Sequence, residues 1–191
     1  MRSNSALAND VSQQFVSTTG TKAQKSNEYL WGKIKDNSTQ MDDDGKDAVG
    51  VLLSDVGKAV NMNYSSIGSM SNMQWALDAL RKKFDYSVKH IYKEYMPKGM
   101  FYDMVVDELE NGYPVLIGES SHSFLLDGID KQGYIHVNWG WAGENDGWFD
   151  LFTIYTPLDD DVFGTDYFAL EMEAVLAHPK TGNHQQFKII R

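Results

Sequence analysis

His122 opens a strand-like run, HSFLLDG, and Asn138-Trp139-Gly140-Trp141 closes the next one, YIHVNWGW. An imidazole beside an amide and two indoles is equipment for handling a proton. An acceptor fixes which ring nitrogen carries the hydrogen, and an aromatic wall keeps water away. A hairpin would bring these groups together. If Gly128 faces Gly133, residue numbers across the pair sum to 261, which sets His122 opposite Trp139 with Asn138 one step away. A slip of one residue makes Asn138 the direct partner. Opposed side chains in an antiparallel pair are close enough to touch. By the same register His136 falls opposite Leu125, inside the hairpin, where catalytic work is harder to arrange. The competing reading is a strand-end histidine and a Trp-Gly-Trp cluster that simply pack.

The elements that must hold this hairpin follow from periodicity. Residues 1–27 are polar and rich in Ser, Thr, Asn and Gln, and read as an arm. Val49, Val51, Leu52, Leu53, Val56, Val60 and Met62 predict a helix over 45–60, with Asp42, Asp43 and Asp44 at its start, where anions are favoured. A small-residue loop, SSIGSMS, leads to a second helix capped by Ser71 or Asn72, with Trp75, Leu77, Leu80 and Phe84 as its buried stripe. A third helix runs through KGMFYDMVVDELENG, with Met100, Val105 and Leu109 inward and Gly112 as its stop. Beyond Gly112 the period becomes strand-like in YPVLIGE, HSFLLDGID, GYIHVNWG, GWFDLF, YFALEMEAVLAH and QFKII. Helices first and then an antiparallel meander is an α+β pattern, not alternating βαβ.

Composition narrows the chemistry. The chain has 191 residues, which suits one domain, and 42% are hydrophobic, enough for a core. A net charge of −10 repels nucleic acid and anionic membranes. The chain has no cysteine, which excludes disulfides, thiolate zinc sites and a thiol nucleophile of its own. No run approaches the ~20 apolar residues of a membrane span. The first residues carry no signal-peptide core, so the polypeptide reads as soluble. His90, His178 and His184 lie in polar segments and are assigned no role. The acidic run at 42–44 lacks the spacing of a calcium loop and reads as a helix start; in 157–167, Asp159, Asp160, Asp161 and Asp166 offer cation ligands, but the run reads as a solvated loop. There is no Gly-Lys-Ser/Thr phosphate loop and no G-x-S-x-G elbow. Ser120, Ser121 and Ser123 flank His122, but adjacency in sequence does not place a hydroxyl at its nitrogen. No cofactor or metal is called for.

The string HSFLLDG…YIHVNWGWAG…DGWF resembles the histidine segment of the streptopain family, the papain-like bacterial cysteine peptidases. EYLWGKI, LLSDVGKAVNMNYSSIGS and YFALEMEAVLAHPK resemble its flanking segments, so the likeness runs over roughly residues 28–180. The resemblance implies a papain-like fold, with helices followed by an antiparallel sheet, in a domain over 28–191 preceded by the arm. It implies His122 as catalytic base, with Asn138 and Trp139 orienting and shielding it. Trp141 and Gly140 would form a wall of the substrate cleft, with Ser69 and Ser121 bordering it. It implies a protein or peptide substrate, and a secreted or cell-surface bacterial location.

One departure stands out. The family's nucleophile sits in a Gly-Cys-Val-Ala-Thr-Ala-like helix start, upstream of everything matched. Neither that string nor the family's oxyanion-hole glutamine has a counterpart here. The chain alone is therefore expected to be inactive. It is a part of an enzyme whose cysteine lies elsewhere, or a pseudo-peptidase that binds peptides or proteins, or a case of shared fold alone. Without the nucleophile helix an apolar surface is left over, which predicts self-association or cover by residues 1–27.

Overall fold

The computed structural model describes residues 29–35, 38–66, 68–119, 122–156, 166–167 and 171–180. The arm at 1–27, Ser121, His184, the strand expected at 186–190 and all but the last two residues of the acidic run at 157–167 lie outside them. The described residues fall into two compact units, 29–88 with 177–180, and 89–176.

In the first unit the chain enters through a 3-10 turn, Trp31–Lys33, and forms helix α1 over Asp43–Ala59. The helix starts at Asp42, whose Oδ1 accepts from Gly45 N at 2.8 Å, with Asp43 and Asp44 in the first turn. Gly45 is required there, because a Cβ would stand 2.5 Å from the Lys33 carbonyl oxygen. Ala48 and Leu52 pack on Tyr29 and Ile34. Val51 and Leu53, counted in the expected apolar face, are exposed.

Helix α2, Met73–Lys82, is capped by Asn72, whose side chain accepts from Gln74 N at 2.8 Å. Leu77, Leu80 and Phe84 are buried as expected, but Trp75 is not. Two residues before Leu77, it stands about 200° away around a helix of 3.6 residues per turn.

Strand β1, Tyr86–Tyr92, occupies a lysine- and tyrosine-rich segment for which the sequence suggested no element. Helix α3, Lys98–Glu110, follows in the second unit. Phe101, Val105 and Leu109 repeat every four residues and are fully buried. Met100 is exposed, and Phe101 takes the inward place assigned to it. The helix ends as its Gly112 predicts: that residue has φ +87°, and Tyr113 N donates back to the Glu108 carbonyl at 2.8 Å.

The remaining strands are β2 (Val115–Gly118), β3 (Ser123–Ile129), β4 (Ile135–Asn138), β5 (Gly147–Phe149), a short β6/β7 ribbon (Tyr155–Thr156 with Asp166–Tyr167) and β8 (Glu173–Pro179). The main sheet has six strands in the order β1-β8-β2-β3-β4-β5, with antiparallel pairing along β8-β2-β3-β4-β5. This is the expected α+β class. His178, read as part of a polar tail, lies in β8. The helix stripe of α3 packs with Val115, Ile117, Phe124, Leu126, Ile135, Val137 and Trp139 in one core. Trp139 is the largest of its fully buried side chains. Apolar burial on that scale is the main favourable term holding the hairpin in place.

The β3–β4 register differs from expectation. Leu125 pairs with Asn138 and Leu126 with Val137, then the pairing shifts so that Gly128 faces His136. Two local features cause this. Asp127 is an extra residue in a bulge between Leu126 and Gly128. The turn is also longer than assumed: Asp130 N donates to Tyr134 O at 2.9 Å, and Asp130 Oδ1 accepts from Gln132 N and Tyr134 N. His136 therefore faces Gly128, not Leu125. Beside His122 the register is two residues away from the one predicted. A shift of two keeps every side chain on its face, so the expected neighbours still meet.

Candidate active site

His122 stands at the entry to β3, half-buried. The β3–β4 pairing carries it toward the segment that follows β4, and the aromatic side chains gather there. Its ring lies 4.8 Å from that of Trp141, 6.3 Å from Trp139 and 6.4 Å from Phe124, by centroids. Trp139 and Trp141 stack at 5.6 Å, and Phe124 lies 4.7 Å from Trp139. Three aromatic rings thus surround one imidazole, and two of them belong to the buried core.

The hydrogen bond at the imidazole settles its tautomer. Nε2 of His122 is 2.9 Å from the backbone oxygen of Trp139. A carbonyl only accepts, so Nε2 carries the proton and donates. Nδ1 is then the nitrogen with the lone pair. An imidazole held this way can take a proton at Nδ1 and, once charged, keep its donation from Nε2.

Asn138 does not supply that acceptor. Its Oδ1 accepts from Gly140 N at 2.9 Å. Gly140 N and the Trp139 carbonyl belong to the same peptide group. The chain of bonds is therefore Asn138 amide oxygen, Gly140 N–H, Trp139 C=O, His122 Nε2–H. Bonds at both ends of one peptide polarise each other. The amide expected beside the ring acts one peptide away.

Trp139 is held on two further sides. Its backbone N–H donates to Asp146 Oδ1 at 2.9 Å, and its indole Nε1–H donates to Asn145 O at 3.0 Å. The loop bends back to provide these acceptors through four left-handed residues, Gly140 (φ +77°), Ala142 (+56°), Gly143 (+90°) and Asn145 (+62°). Burial raises the Asp146 carboxyl above its ordinary value, more than the Trp139 N–H and the nearby His136 lower it. Neither Asn145 nor Asp146 was singled out from sequence. The signal available was the Gly-rich run GWAGENDG, which read only as a cleft wall.

His136 belongs to a different arrangement. Its Nδ1 lies 2.6 Å from Asp127 Oδ1, with both side chains almost completely buried, and the Trp148 ring meets it edge-on at 5.1 Å. The bulge that displaces the register is what brings Asp127 to His136. Asp127 Oδ2 is buried with no hydrogen-bond partner. His90 is likewise paired, its Nε2 2.6 Å from Glu173 Oε2.

The other expected site residues are placed as follows. Trp141 is half-buried against the imidazole and Gly140 is exposed beside it. Ser69 is exposed in the loop before α2, in the other unit. Among the described residues, no group of three or more His, Cys, Asp or Glu is placed to hold a metal ion. Among them, too, no helix is long and apolar enough to cross a membrane.

The chain is similar to known proteins in sequence and in fold. The sequence model of the Peptidase C10 family matches residues 4–149. That match starts upstream of residue 28, where the resemblance in sequence begins. The chain is 32% identical over 130 residues to the thiol protease/hemagglutinin PrtT of Porphyromonas gingivalis, covering 64% of the chain and 15% of that protein. It is 31% identical over 131 residues to streptopain of Streptococcus pyogenes, covering 65% of the chain and 33% of that protein. Among solved structures, active wild-type interpain A, a cysteine protease of Prevotella intermedia, superposes with a TM-score of 0.64 at 28% identity. That superposition covers 78% of the chain and 64% of interpain A. The chain thus spans a third or less of the length of these two curated relatives.

Proposed function

The chain belongs to the Peptidase C10 family, and from that premise we propose that it supplies the histidine side of a Cys–His peptidase centre. His122 is the general base. Its Nδ1 takes the proton of a cysteine thiol, leaving a thiolate and an imidazolium side by side. The thiolate attacks the peptide carbonyl, and the imidazolium returns its proton to the departing amine. Trp139 O keeps the ring oriented through both states. Trp141 and Gly140 form a wall on which a peptide substrate rests. Ser69 and Ser121 are assigned to substrate binding by the resemblance alone. The carrying observation is the 2.9 Å donation from His122 Nε2 to Trp139 O, which leaves the opposite nitrogen basic.

The 191 residues contain no cysteine, so the thiol comes from a segment outside them, on the same precursor or on a partner chain. Alone, the chain is inactive. The family resemblance also favours export to the cell surface or medium.

The missing thiol supports a second reading as well, a pseudo-peptidase that grips peptides or proteins without cleaving them. One experiment separates the two. The chain is combined, in reducing buffer, with a polypeptide bearing the Gly-Cys-Val-Ala-Thr-Ala-like segment encoded with it, and casein is added. Cleavage that an alkylating reagent abolishes supports the peptidase. No cleavage, or no such segment encoded upstream or on a partner, supports the binding module.

A further inference from the structure

We propose that Asp146 is a positioning residue for His122, acting through Trp139. The inference rests on the reading of His122 as a catalytic base and adds to it what keeps the base in its working tautomer.

A backbone carbonyl can hold an imidazole only as firmly as its own peptide is held. Trp139 directly follows the last residue of β4, beyond the strand pairing that fixes Ile135–Asn138. Its N–H donates to Asp146 Oδ1 at 2.9 Å. Its indole donates to the neighbouring Asn145 O at 3.0 Å. Two consecutive residues of the loop therefore clamp the residue that orients His122, and the loop adopts left-handed backbone at the non-glycine residues Ala142 and Asn145 to bring them there. Such conformations persist where the surroundings demand them.

The choice of a carboxylate also requires a reason. A neutral acceptor would satisfy one N–H without the cost of burying a charge. Burial pushes the Asp146 carboxyl upward, Asp127 on the β3 bulge adds to that rise, and His136 on β4 opposes it. An ionised carboxylate is a stronger acceptor for an N–H than a neutral oxygen.

The test reads the imidazole directly and needs no thiol. Nitrogen NMR of the 191-residue chain reports the tautomer ratio of His122. Asp146→Leu keeps the branched shape of the side chain, removes the acceptor and removes the burial cost. It should lower the Nε2–H to Nδ1–H ratio about fivefold, the net worth of one hydrogen bond. Asp146→Asn keeps an acceptor oxygen and should restore the tautomer ratio. If Asp146→Leu does not fold, Asp146→Ser, too short to reach the Trp139 N–H, takes its place with the same expectation. An unchanged ratio in the folded Leu or Ser variant, or an Asn variant that folds without restoring it, overturns the proposal. Casein cleavage is not an arm of this test, so its absence would remove the peptidase reading and leave the positioning role standing.

Discussion

Nε2 of His122 and the carbonyl oxygen of Trp139 are 2.9 Å apart, and the tryptophan that provides the oxygen is fully buried. One residue therefore both closes the core under the hairpin and sets the tautomer of the imidazole above it. The orientation of the imidazole and the stability of the core are coupled at Trp139, and they should fail together.

Replacing Trp139 by alanine tests that coupling. The substitution opens a large cavity and is expected to cost about 3–5 kcal/mol of stability. Urea denaturation should show a lower midpoint with little change in slope. Trp141→Ala, at a half-buried position, should cost no more than about 1 kcal/mol by the same measurement. Equal losses in the two variants would mean that the indole of Trp139 is not the anchor of the core.

The Asp127–His136 pair should behave as a unit. Both side chains are almost completely buried and 2.6 Å apart. Asp127→Leu leaves His136 without its partner and is expected to destabilise by about 3 kcal/mol. Asp127→Leu combined with His136→Phe removes both polar groups and should cost less than the two single changes added together. Thermal melts of the four proteins check this. Strict additivity would contradict a coupled pair.

In the other unit, Tyr29 donates to Asp55 Oδ2 at 3.1 Å. Burial, then the hydrogen bond and charge of Asp55, push its hydroxyl up to about 12 from an ordinary 10.0. A pKa raised by folding stabilises below the unfolded value, and the contribution fades as pH rises through the folded one. Stability should therefore decline between about pH 10 and 12, and the decline should be shallower in Tyr29→Phe. Denaturant midpoints measured across that range decide it. Identical slopes in the two proteins would show that Tyr29 does not titrate with folding.

Much of this was legible in the letters because local physics decides it. Asp42 and Asn72 cap helices through their own side chains, and Gly112 ends one by its backbone. His122 was identifiable because histidine at a strand end, facing a Trp-Gly-Trp run, is an unusual juxtaposition. What escaped depends on contacts between residues distant along the chain. The bulge at Asp127 has no mark in HSFLLDG, because an aspartate in an alternating strand reads as an outward residue. Its partner His136 had to be found in space. Asn138 was expected to touch the imidazole, but its side chain meets Gly140 N first. Asp146 lay hidden in a loop whose bend is set by four left-handed residues. β1 was missed because its lysines and tyrosines resemble a solvated segment, and strand pairing in the sheet supplies what its pattern lacks.

The central claim is that the Nδ1 side of His122 activates a thiol brought from outside these 191 residues. Alkylation by iodoacetamide at pH 6, in the chain joined to its Cys-bearing segment, measures that most directly. An ordinary thiol near pKa 8.5 is only about 0.3% thiolate at that pH. The account predicts alkylation about tenfold or more faster than for such a thiol, and a return to the ordinary rate in His122→Ala. Equal rates with and without the imidazole would contradict it.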